Sequence, residues 1–141
     1  MPEPVVGDSW TPLFRALKAL RTSWPARGWS WDKRLSCVTS SFSSENDDVA
    51  RAAATVAFPS EWTSTSIRGA SAPVRDLAER TGGIRAGQLV LTSDAVGTAF
   101  GYCLWWPWGD GMTTSVRIGL GSLNPSADAL QRLRDTFGVE V

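Results

Sequence analysis

The chain has 141 residues, 43% of them apolar and 20% charged, the balance of one ordinary globular domain with enough material for a buried core. Fourteen basic residues offset fourteen acidic ones, and zero net charge argues against a general nucleic-acid or membrane-surface binder, which needs an electrostatic excess. There is no histidine, which removes imidazole general-base catalysis, the Ser-His-Asp arrangement and nearly all catalytic zinc sites.

The first residues, Met-Pro-Glu-Pro-Val-Val-Gly, carry no basic leader and no long apolar run. No segment reaches the length of a membrane span, so a cytoplasmic protein without a membrane partner is expected. Nearly all the positive charge is arginine, with Lys18 and Lys33 the two lysines, a bias that GC-rich coding explains without invoking phosphate recognition.

A first helix is expected from Thr11 as cap and Pro12 in the first turn. Trp10, Leu13, Phe14, Leu17 and Leu20 make its apolar stripe, and Arg15, Lys18 and Arg21 its solvated side. Residues 22–31 read as a loop and 34–42 as a strand of weak alternation. Ser44 opens a second helix, with Asp47 and Asp48 suited to its positive end. Val49, Ala50, Ala53, Ala54 and Ala57 give that helix a small-residue face, and Phe58-Pro59 ends it. A short strand is expected over 61–67, a third helix over 71–80 stopped by Gly82, and a buried strand over 88–92. The glycine-rich run 81–87 follows a helix and precedes a strand, the reverse of a phosphate-binding loop, so it reads as a helix stop and turn. Asn124 caps a last helix, Pro125 starts it, Gly138 stops it, and Leu130, Leu133 and Phe137 form its inner face.

Between the glycine-rich run and the last helix, residues 97–108 and 112–120 read as the arms of a β-hairpin. Eight tryptophans are present, and Trp105, Trp106 and Trp108 crowd its first arm. A two-residue Asp110-Gly111 loop would set Trp106 opposite Ser115 and Leu104 opposite Arg117. A three-residue loop over 109–111 sets Leu104 opposite Val116 and Tyr102 opposite Ile118, which gathers the apolar residues on one face. The second register is the expected one. It directs Trp106 and Trp108 toward the helices and leaves Trp105 and Arg117 as diagonal neighbours on an outer face. Pro107 suits only a strand end or edge, which makes the tip peripheral. The whole reads as a single α+β domain spanning 1–141, its mostly antiparallel sheet including the C-terminal hairpin (about 97–120) and packed by N-terminal, middle and C-terminal helices.

Few residues carry an obvious chemistry. Cys37 and Cys103 are isolated in sequence and read as buried thiols, with a disulfide between them left open. Asp47, Asp48 and Glu45 read as dipole-matching acids rather than metal ligands, and no cofactor or metal is expected. Trp29, Trp31, Lys33 and Arg34 are the best local match to a stacking surface for single-stranded nucleic acid, against which the neutral charge weighs.

The leading expectation is a non-catalytic protein-binding domain of inhibitor, immunity or adaptor type, whose partner is another protein. Its candidate surface is Trp29, Trp31, Trp105, Trp108, Asp110 and Arg117, since tryptophan and arginine concentrate binding energy at interfaces. The alternatives are a small-molecule sensor or carrier with a Trp-lined pocket, and a histidine-independent enzyme using a carboxylate, arginine or Cys103.

Overall fold

A computed structural model of the chain describes residues 9–96, 99–121 and 125–139. Its elements are α1 (Thr11–Ser23), β1 (Ser30–Asp32), β2 (Cys37–Ser43), α2 (Asp47–Ala57), β3 (Ser60–Trp62), α3 (Ala72–Arg80), β4 (Leu89–Thr92), β5 (Gly101–Pro107), β6 (Thr113–Leu120) and α4 (Ala127–Phe137). Six strands form one antiparallel sheet in the order β1-β2-β6-β5-β4-β3. The α+β class and the C-terminal hairpin are as the sequence suggests.

The helices follow their sequence signals closely. In α1 the stripe Leu13, Phe14, Leu17 and Leu20 is buried, with proline in the first turn. The cap position is Trp10, without a side-chain bond, rather than Thr11. Arg21 closes the last turn and donates from Nη1 to the Thr136 carbonyl at 3.0 Å, so one basic side chain of this helix serves the C-terminal end of α4. The alanine stripe Ala50, Ala53, Ala54 and Ala57 is buried and lets α2 pack closely on α1, whereas Val49, expected on the same face, is exposed. A short 3-10 turn over Ser44–Asn46 precedes α2, and Ser43, not Ser44, accepts the capping bond there, from the Glu45 N–H. In α4 the Ser126 hydroxyl accepts from the Ala129 N–H, and Gly138 stops the helix in the left-handed region at φ 67°. Asn124 and the expected strand start at 97 lie outside the described residues.

Two strands differ from expectation. The segment read as a loop contains β1, paired to β2. The strand expected over 61–67 stops at Trp62, because Thr63 captures the chain: its Oγ1 accepts from the N–H groups of Thr65 and Ser66 at 3.2 and 3.1 Å. Side-chain hydroxyls competing for backbone donors favour the turn over the ladder, and a 3-10 turn over Ser66–Gly69 follows.

Both faces of the sheet are covered, by different helices. One face carries Val38 and Phe42, Leu91, Cys103 and Trp105, and Val116, Ile118 and Leu120, packed with residues of α1, α2 and α4. The other carries Cys37, Val90, Tyr102 and Leu104, packed with Val74 and Leu77 of α3. Three layers therefore enclose two cores.

This second layer overturns the expected hairpin register. Leu104 pairs with Arg117, Trp105 with Val116 and Trp106 with Ser115, the alternative set aside on the sequence. The loop holds four residues, 109–112, and is closed by Trp108 N–H donating to the Thr113 carbonyl at 2.8 Å. A four-residue loop has the same parity as a two-residue one. Gathering all apolar residues on one face is favourable only when the other face meets water. With α3 covering part of that face, Tyr102 and Leu104 are buried on one side and Cys103 and Trp105 on the other.

Candidate functional site

Trp105 is 4% exposed and faces the helical layer, where the Arg51 guanidinium lies 5.3 Å from its ring centroid. Arg117 is on the opposite face and stacks instead on Trp106, its guanidinium carbon 4.5 Å from that ring centroid. The expected outward pair of Trp105 and Arg117 is thus corrected. The one-residue change in register exchanges their partners. Arg117 also pairs with Asp32, Nε to Oδ2 at 3.1 Å, across β1 and β6. Partial burial works to raise the Asp32 carboxyl, but bonds from Arg117 and from the N–H groups of Leu35 and Arg34 outweigh it and hold it below its ordinary value.

Trp29 and Trp31 are half-buried at the β1 edge. Trp29 packs on Phe137 at 4.4 Å and on Trp24 at 5.3 Å between centroids, and Arg134 lies 4.9 Å over the Trp31 ring. Both rings pack against the margin of the core.

The hairpin tip is different. Trp108, just before the loop, is 50% exposed, and Met112, its last residue, is 67% exposed. The loop is held by side-chain chemistry: Asp110 Oδ1 accepts from the N–H groups of Met112 and Thr113 at 2.8 and 3.0 Å, and Oδ2 from the Thr113 hydroxyl at 3.2 Å. The Met112 bond chiefly keeps the Asp110 carboxyl below its ordinary value, against an opposing effect of desolvation and with smaller help from the Thr113 bonds. Gly111 supplies the left-handed residue, at φ 69°. The tip is anchored to the body by Ser44 N–H donating to the Met112 carbonyl at 2.8 Å. Beside it a groove of 560 Å³ runs between the loop and the β2–α2 junction, lined by Phe42, Ser43, Glu45 and Met112 among others. Of the six residues expected to form a surface, Trp108 and Asp110 come together here. Met112 was missed, although a large apolar residue directly after a turn glycine is itself a signal of exposure.

A second concavity lies between α3 and the β3–β4 edge, a cleft of 580 Å³ with Trp62, Val74 and Phe100 in its walls and Asp76, Arg80 and Asp94 among its polar groups. The Trp62 indole N–H donates to Thr92 Oγ1 at 3.0 Å. Nothing in the sequence brought these segments together, because β3 and α3 meet only through the sheet order.

The chemistry available to the thiols is limited. Burial pushes the Cys37 thiol up to about 12, reinforced by nearby Asp32, and burial raises Cys103 as well. Cys37 and Cys103 belong to opposite faces of the sheet and are free. Reactive thiols are exposed and have lowered values, so this arrangement opposes thiol catalysis. Among the described residues no three His, Cys, Asp or Glu side chains are placed to hold a metal ion, and no helix is long and apolar enough to cross a membrane.

Comparison of the chain with protein-family models, with curated proteins and with solved structures finds no match to any of them.

Proposed function

We propose that the protein is a non-catalytic binding domain that engages a partner protein through its hairpin tip. The observation that carries this reading is the pair Trp108 and Met112, with Val56 and Val49 the most open to solvent of the large apolar residues among the described residues, presented on a loop already fixed by Asp110 and Ser44. Exposed tryptophan and methionine on a rigid support bind with little ordering cost. The neighbouring groove and the Glu45 carboxylate supply a polar margin, so the complementary surface is an apolar hollow with a basic rim.

Site-specific photocrosslinkers placed at Trp108, at Met112 and at exposed Val56 on α2 test this in the cells of origin. The same partner is expected from positions 108 and 112 and not from 56. With that partner purified, W108A is expected to weaken binding by about tenfold or more, the scale of a tryptophan anchor. Equal crosslinking from position 56, or unchanged affinity of a W108A/M112A variant, would overturn the reading.

A second reading, small-molecule binding, is favoured by the α3 cleft. Its volume lies within the usual range of ligand sites, roughly 300–1,000 Å³, and aromatic walls with a few charged groups are the usual lining.

A further inference from the structure

Three charged side chains reach the α3 cleft, and their hydrogen bonding separates them. Arg80 donates from Nη2 to the Gly121 carbonyl at 3.0 Å, where it closes the end of β6. Asp76 and Asp94 also line the cleft. Among the described residues neither carboxylate takes part in an ion pair, the two pairs there being Arg51 with Glu61 and Arg117 with Asp32. The cleft thus carries two exposed carboxylates and one guanidinium, an excess of one negative charge, with no ion pair formed between them. Its walls are apolar and aromatic, and the Trp62 N–H is used on Thr92, which leaves the indole ring, not its donor, for a ligand.

We propose that this cleft binds a small organic cation, an ammonium carrying an apolar ring-sized body. This rests on the small-molecule reading of the cleft. Asp76 and Asp94 select the charge, and an ammonium beside an indole gains further attraction from the ring face. Trp62, Val74 and Phe100 take the apolar body. An anion of the same shape meets two carboxylates against one guanidinium.

The probes are phenethylamine, 2-phenylethanol and 3-phenylpropionate, which share a ring and differ in charge. The readout is the indole N–H resonance of Trp62 in ¹⁵N-labelled protein, assigned with W62F. Phenethylamine is expected to move this resonance saturably and to bind about fivefold more tightly than the alcohol, the scale of a solvent-accessible ion pair. The preference is expected to shrink in high salt and to fall in D76N and D94N. Equal or tighter binding of the alcohol or the acid would overturn the ligand class while leaving the cleft a binding site. Failure of all three probes to move the Trp62 resonance would overturn both.

Discussion

Asp32 and Arg117 stand 85 positions apart and meet at 3.1 Å. Because the folded Asp32 carboxyl titrates below its ordinary value near 3.8, its contribution to stability is full above that value and is lost as pH falls through the lower folded one. Urea midpoints measured between pH 6 and pH 2 are therefore expected to separate wild type from D32N at the upper end and to bring them together in acid. A constant gap across the range would mean that the ion pair adds nothing to stability. The two thiols work in the opposite sense. The Cys37 value is raised from 9.0 to about 12, so its contribution is full below pH 9 and is lost as pH rises toward 12. Native protein at pH 8 is expected to react with an aromatic disulfide reagent only as fast as it unfolds, with both thiols released together in denaturant. Rapid labelling of one thiol in the native state would contradict its burial.

The hairpin sets the next scale, because neighbouring tryptophans on one strand have different fates. Trp105 packs against Phe42, with ring centroids 5.8 Å apart, whereas Trp108 stands half in solvent. W105A is expected to cost about 3–5 kcal/mol, the usual result of emptying a large buried aromatic site, and W108A to stay within about 0.5 kcal/mol. Equilibrium urea unfolding measures both, and the reverse order would restore the register in which Trp105 faces outward. Glycine has a structural use on the same sheet. The Phe100 ring occupies the space that a Cβ on Gly121 would need, and the Tyr102 ring does the same over Gly119. The Phe100 ring leaves no room for a methyl group at Gly121, just past the end of β6, so G121A is expected to lose about 1–3 kcal/mol through overpacking by the same measurement.

Across the whole molecule, exposure is concentrated at few aromatic rings. Trp24 and Trp105 are buried, and Trp108 is the one exposed tryptophan among the described residues, the others being half-buried. Acrylamide quenching of wild type is expected to show one readily quenched component that W108F removes; quenching unaffected by W108F would place the accessible indole elsewhere. Local chemistry made much of this molecule legible in advance. The leucine stripe of α1, the alanine stripe of α2, the Gly138 stop and the turn near Asp110 are each set within a few residues, where periodicity and capping act. The peripheral place of the turn was legible for the same reason, since Pro107 and the turn residues fix it locally, whereas the expected register turns Trp108 toward the helices. What only the tertiary structure decided is which face each hairpin residue takes. That choice depends on whether the second face meets water or α3, and the α3 coverage is a contact between segments far apart in the chain. The ion pair of Asp32 with Arg117, the burial of Trp105 and the cleft beside Trp62 all follow from it, because register and layer order are set by long-range packing and leave no mark in local spacing.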